Sequence, residues 1–296
     1  MQSYREKTIN EETQMNVTIL VDNTALFDRF FTAEHGFCAY IEAEGCRVLF
    51  DTGYSDAVLK NAQKMKIDLL GLDYIVLSHG HFDHTGGLYH LIRLFTEAIL
   101  EDTSCHLPRL IAHPCCFYPR PKPPQPDIGA ILTADEVQRI MPLNLSKDPV
   151  SLTPNLFFLG EIERKSSFET TLPGPRRIVL PDGSMPEDRL VDDTSLAFRS
   201  REGLVIITGC AHAGICNTVE YAKKICGDSK VHDIIGGLHL RGAGTQLEGT
   251  LAYLKDQNLA ALHACHCTAL PAKVALAQVA PLQETGVGLR LEYGDR

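Results

Sequence analysis

The stretch His79-Gly80-His81-Phe82-Asp83-His84-Thr85-Gly86-Gly87 gathers three imidazoles and one carboxylate into six positions. In extended chain, residues two apart point the same way, so His79 and His81 can grip one ion. The turn at Asp83-His84 then swings a carboxylate and a third imidazole toward a second ion. A structural zinc site wants a closed set of four ligands, commonly with paired cysteines. This stretch has none, and histidines with an aspartate suit a catalytic site that keeps a water. The bland alternative is a polar surface loop, but four ligand-type residues rarely gather at this spacing by chance.

Around this cluster lies an ordinary globular chain. Its 296 residues suffice for a core that needs no staples, so stability does not explain the ligands. A hydrophobic content of 44% with 22% charged residues fits a soluble protein, and a net charge of -9 argues against a nucleic-acid surface. The opening residues are polar without an apolar signal core, and no later run approaches the length of a spanning helix. The expectation is a cytoplasmic protein with a small-molecule substrate, no nucleic acid and no membrane. A homo-oligomer could form through an edge strand or the proline-rich loop. The 10 cysteines read mainly as buried apolar residues rather than disulfides. Cys210 in TGCAH and the pair Cys265/Cys267 in HACHCT differ, because they lie beside histidines.

Residues 74–77 form a short apolar run that places HGHFDH at a strand's C-terminal end. Upstream, residues 17–21, 37–41 and 47–50 read as strands, the last two a hairpin turned at Glu44-Gly45 and ending in Asp51-Thr52-Gly53. Helical spacing follows at 55–65, behind a capping Ser55, and Leu88, Leu91, Ile92 and Phe95 make another helix. A strand at 110–112 leads to His113. The proline-rich run at 114–130 reads as a surface loop. Beyond a helix at 134–140, one strand at 156–159 stands in an otherwise irregular region, so 114–188 reads as an insertion in a single domain spanning 1–296. Strands at 195–198, 204–207, 233–235, near 262 and at 289–293 then alternate with helices at 218–225, 246–254 and 272–279. Two such halves imply an α/β fold of two sheets face to face with helices outside.

The second half supplies further ligand candidates. His212 follows the strand at 204–207, and His266 lies between two cysteines after an apolar stretch, so both fall at strand ends. His239 in IGGLHL is a ligand or a substrate contact, since Gly236-Gly237 allows close approach. Asp193 in VDDTS and Cys210 compete as an extra ligand or bridge, whereas Asp51 more plausibly orients a ligand histidine from behind. His113 reads as a packing residue, and His90, His106, His232 and His263 as structural. His35 and Glu34 are rim candidates. Arg164, Lys165, Arg176, Arg177 and Arg241 are either solvated charges or phosphate contacts, and Phe168 and Tyr118 either packing residues or a stacking surface for a flat ring.

HGHFDHTGG resembles the H-x-H-x-D-H signature of the metallo-β-lactamase superfamily. The resemblance covers most of the chain and implies a four-layer αββα sandwich of two mixed sheets with metals between their upper edges. Within that superfamily EHG, DTG, SHGHFDHTGG, IAHP, GEI, TGCAHAGI, IGGLHL and CHCT look like the subgroup named for dihydropterin ribofuranosylaminobenzene phosphate synthase. It implies His79, His81 and His212 at one metal and Asp83, His84 and His266 at the other. Where many relatives carry Gly-Asp with a bridging aspartate, this chain has Gly209-Cys210, which puts the bridge in question.

Two divalent metal ions are therefore expected, zinc first, with manganese or iron as alternatives. Water on such an ion becomes a nucleophile near neutral pH while the other ion polarises the electrophile, and Asp83 is a candidate to handle protons. Hydrolysis of a small phosphorylated or ester-like substrate is the leading expectation. Its rival is a transferase that condenses a dihydropterin diphosphate with an aminobenzene ribotide. Iron-dependent redox chemistry ranks below both, because His81 stands where relatives resembling the diiron oxygen-reducing group have Glu.

Overall fold

The computed structural model describes residues 14–169 and 176–294. The first sheet begins with β1 (Met15–Val21), β2 (Cys38–Ala43) and β3 (Cys46–Phe50), continues through β4 (Tyr74–Val76), β5 (Arg109–Ala112) and β6 (Leu143–Leu145). The second holds β7 (Val150–Ser151), β8 (Leu156–Phe158), β9 (Ser195–Ser200), β10 (Gly203–Thr208), β11 (Val231–Gly237) and β12 (Ala261–Cys265). The last strand, β13 (Arg290–Tyr293), returns to the first sheet beside β1, giving the orders β13-β1-β2-β3-β4-β5-β6 and β12-β11-β10-β9-β8-β7.

Both sheets are mixed for the same reason. Hairpin connections join β1, β2 and β3 antiparallel, and the turn at Glu44-Gly45 takes positive φ at both residues (52° and 79°), matching the strand twist. From β3 onward the pairing is parallel, which requires crossover helices: α1 (Ala57–Met65), α2 (Phe82–Thr85) with α3 (Leu88–Leu100), and α4 (Ala134–Gln138). In the second sheet β7 to β10 are antiparallel and β10, β11 and β12 parallel, crossed by α5 (Ile215–Cys226) and α6 (Thr245–Lys255), with α7 (Leu270–Leu276) following.

Alternation along the strands fills the space between the sheets. Val17, Ile19, Ile41, Val48 and Phe50 of one sheet meet Phe158, Leu196, Phe198, Val205 and Ile207 of the other. The opposite faces bury Leu49 and Ile75 under α1 and α3, and Leu204, Ile206 and Ile234 under α5 and α6. The result is the expected four-layer αββα sandwich.

Some expectations need correction. The span 114–188 carries β6 and β7 besides β8, and together these strands extend both sheets. With 3 and 2 residues they are too short to show a period. The proline-rich run also departs from a surface loop: Pro114–Phe117 form a short 3-10 turn, and Arg120 is only 1% exposed. A cation among prolines reads as solvated unless its counter-charges, far along the chain, are known. Ser55 lies one residue before the cap of α1, where its Oγ accepts from Ala57 N–H at 3.2 Å. No helix among the described residues is long and apolar enough to cross a membrane.

Candidate metal centre

The loops leaving the C-terminal ends of parallel strands converge on one edge of the sandwich, the usual place for a site in such sheets. β3 delivers Asp51, β4 delivers Ser78 to His84, β10 delivers Cys210 and His212, β11 delivers His239, and β12 delivers His266 and Cys267.

Hydrogen bonds behind the rings decide which nitrogens face inward. Asp51 accepts from Ser78 N–H through Oδ1 and from Ser78 Oγ–H through Oδ2, both at 2.7 Å. With its proton given to Asp51, Ser78 Oγ accepts from Nδ1–H of His79 at 2.9 Å, which leaves His79 Nε2 bare. Asp51 Oδ2 also lies 2.7 Å from His84 Nδ1 and takes its proton. Asn23 fixes His266 in the same way: its Nδ2 donates to the His266 carbonyl at 3.2 Å, so its Oδ1 accepts from Nδ1–H at 2.9 Å. Asp22 accepts from the His266 backbone N–H at 2.8 Å.

The consequence is a ring of imidazole nitrogens turned toward one another. His79 Nε2 lies 2.9 Å from His81 Nδ1, and His84 Nε2 lies 3.2 Å from His266 Nε2. The buried atoms His81 Nε2 and both ring nitrogens of His212 find no hydrogen-bond partner. Such unpartnered polar atoms are expensive to bury together unless a cation lies among them. The ligand atoms of His79, His81 and His212 all fall within 4.8 Å of one another, as do those of His79, His84 and Cys210, and those of Cys210, His266 and Cys267. The donor set therefore fits divalent metal ions.

The electrostatics agree. Burial pushes His79, His212 and His266 well below the usual imidazole range and His81 down to about 3, so these rings stay neutral and able to coordinate. His84 is the exception. Burial opposes its charge, but Asp51 and Asp83 outweigh that and push it up to about 9. Without a metal, a proton supplies the positive charge this spot favours. Asp83 is held well below the carboxylate range, where its burial is outweighed by His84, His35 and His266. Its Oδ2 lies 3.5 Å from His266 Nε2 and 3.7 Å from His84 Nε2.

Other candidates fall around this centre. His239 is half-buried, its ring 4.4 Å from that of His212, and burial with Arg241 and Arg176 lowers it to about 4. Cys210 Sγ reaches 3.2 Å from His84 Nε2, whereas Asp193 lies in none of the ligand groups. Asp193 instead accepts from Ala213 N–H at 2.8 Å, supporting the loop that carries His212, and burial pushes it up to about 7. His113 is a packing residue whose Nδ1 accepts from Cys115 N–H at 3.1 Å. Exposed His35 lies 3.1 Å from Asp83 Oδ2 at the rim. Glu34 accepts from Tyr54 N–H and Ser55 N–H, both at 3.0 Å, and so ties down the loop after β3. Arg164 donates to the Leu190 carbonyl at 2.6 Å, and Phe168 packs against Gly249.

The sequence reading passed over Asn23, Asp22 and the Arg120–Asp192 pair. Asp192 Oδ2 accepts from Gly80 N–H at 2.9 Å and from Arg120 Nη2 at 2.6 Å, while Arg120 Nε donates to Asp188 at 3.0 Å. The first aspartate in VDDTS was the available signal; nothing local identified Asn23.

Comparison with known proteins places this geometry in context. The family model for the metallo-beta-lactamase superfamily matches residues 31–223. A Methanocaldococcus jannaschii protein named 7,8-dihydropterin-6-methyl-4-(beta-D-ribofuranosyl)-aminobenzene-5'-phosphate synthase is 32% identical over 278 residues, 90% of this chain and 91% of its own. An uncharacterized protein of the same organism is 31% identical over 268 residues, covering 89% of this chain and 94% of that one. A solved structure named as a metal-dependent hydrolase of the beta-lactamase superfamily superposes with a TM-score of 0.78 at 26% identity, covering 95% of this chain and 100% of the other. A metallo-beta-lactamase fold protein from Bacillus subtilis shares the fold, with a TM-score of 0.59 at 12% identity over 94% of this chain and 99% of the other.

Proposed function

Because this chain belongs to the metallo-beta-lactamase superfamily, we propose that it is a dinuclear metal-dependent enzyme that hydrolyses a small phosphorylated or ester-like substrate. The observation that carries this reading is the buried convergence of ligand-type atoms: the ring nitrogens of His79, His81 and His212 fall within 4.8 Å of one another, and His81 Nε2 and both ring nitrogens of His212 find no hydrogen-bond partner. His79, His81 and His212 would hold one cation; Asp83, His84 and His266 the other, with Cys210 between them. Zinc suits imidazole donors best, and manganese or iron are the alternatives. Bound cations would lower the pKa of water toward neutrality and polarise the electrophile.

The chain's own groups do the rest. Asp51 fixes the tautomer of His84 directly and that of His79 through Ser78, so both rings present Nε2 without rearrangement. His239 stands neutral beside His212, able to donate a hydrogen bond or take a proton from substrate. Asp83 keeps its charge against burial and is the second acid–base group. Arg176 supports an anionic substrate: its Nη1 is buried without a hydrogen-bond partner, and its field, with that of Arg241, reaches His239.

The relative named as a synthase favours a second reading, in which a dihydropterin diphosphate is joined to an aminobenzene ribotide and the cations stabilise departing diphosphate. The test is metal quantification on purified protein, followed by assays on phosphoesters, lactones, thioesters and pterin diphosphates with and without the ribotide. About two cations per chain with ester or phosphoester cleavage support hydrolysis. A coupled product formed only with the ribotide supports transfer, iron with an oxygen-dependent spectral change overturns both, and failure to take up metal overturns the metalloenzyme reading.

A further inference from the structure

Cys267 was assigned to neither cation above, yet the fold brings it to the centre. Its Sγ lies with Cys210 Sγ and a His266 ring nitrogen inside a 4.8 Å group. The backbone is shaped around that sulfur. A Cβ on Gly237 would meet it at 2.5 Å, and His239, held at φ 48°, donates its backbone N–H to it at 3.2 Å. Cys210 Sγ approaches the same spot from β10, 3.2 Å from His84 Nε2, which itself faces His266 Nε2 at 3.2 Å. Asp83 Oδ2, 3.5 and 3.7 Å from those nitrogens, falls in a separate group with His266 and His35 and is engaged by His35 at 3.1 Å.

We infer that the second cation is held by a thiolate pair, Cys210 and Cys267, together with His84 and His266. This rests on the reading above that the pocket binds cations and revises the ligand set of one position, with Cys267 in place of Asp83 and Cys210 as a full ligand. On binding, each thiol releases its proton to solvent and its sulfur forms a bond to the metal. A set of two sulfurs and two nitrogens is the closed tetrahedral arrangement that favours zinc over magnesium or manganese. The two positions therefore differ in kind: a soft, filled one between His84 and His266, and an all-imidazole one at His79, His81 and His212 that keeps room for water or substrate. Manganese offered alone should fill only the latter.

The test uses the full chain loaded with cobalt(II) or zinc, read without any activity assay. Cobalt should produce intense sulfur-to-cobalt charge-transfer absorption, and zinc X-ray absorption should contain a sulfur shell at about 2.3 Å. Cys267→Ser should lose about half of the charge-transfer intensity, since one of two sulfur donors is removed. Two bound cations with only nitrogen and oxygen neighbours would overturn the inference and leave the metalloenzyme reading standing, as would a Cys267→Ser spectrum identical to that of the parent. Failure to take up any metal overturns both. The parent spectrum decides the matter even if a Cys210 variant does not fold.

Discussion

His84 shows how one side chain couples proton and metal. Its Nε2 could coordinate only after its proton leaves, and Asp51 and Asp83 hold that proton up to about 9. The sign follows: below that pH protons compete at this ring, so its own contribution should raise affinity with pH by about tenfold per unit and level off above about 9, and a thiolate pair at the same cation would steepen the rise further. Isothermal titration across pH 6–9, with chelator-buffered metal, checks this. Asp51→Asn should move the levelling-off to lower pH and weaken binding by about 10- to 100-fold, since the ring loses its support. His81→Ala or His84→Ala should lower metal content and abolish activity with the fold retained by circular dichroism; unchanged metal stoichiometry would sink the assignment. At this scale HGHFDH and DTG were legible because their meaning is local: ligand types at short spacing. Asn23 was not, because its role exists only where β12 ends beside β1, 243 residues away.

The loop that carries His79 to His84 is an element clamped from behind. A Cβ on Gly80 would fall 1.8 Å from the Cys116 carbonyl and 2.3 Å from Arg120 Nη1. Gly80→Ala must displace the ligand loop, so we expect a loss of about 1–3 kcal/mol in denaturant unfolding together with weaker metal retention on dialysis. Arg120→Met leaves Asp188 and Asp192 buried without their cation, and should cost about 3–5 kcal/mol in the same measurement. An unaltered midpoint in Arg120→Met would show that the pair is energetically idle. The sequence reading found the long crossover helices and core strands, whose apolar periods run over several turns or pleats. It missed β6 and β7, because pairing at a sheet edge, not periodicity, makes those short segments strands.

Across the whole molecule, the candidate ligands come from both sheets, so a bound cation would tie the layers together. Ligand that binds only the folded state adds about 4 kcal/mol at a thousandfold excess over Kd. Removing metal with a chelator should therefore lower Tm by on the order of 10 °C, and restoring zinc should return it. We propose that the sheets unfold as one unit, since the apolar layer between them draws on nearly every central strand; calorimetry should give a single transition. The αββα plan was legible from the alternation of strands and helices in each half. The crossing of β13 to the first sheet was less so, because pairing partners are not written in a strand's own pattern.

The placement of His266 on Asp22 and Asn23 bears on how the protein matures in the cell. During synthesis the amino-terminal sheet emerges early but lacks both β13 and the last imidazole, so the pocket is half-built while the chain is still tethered to the ribosome. A cation held between the two halves would therefore bind only after β12 and β13 have packed beside β1.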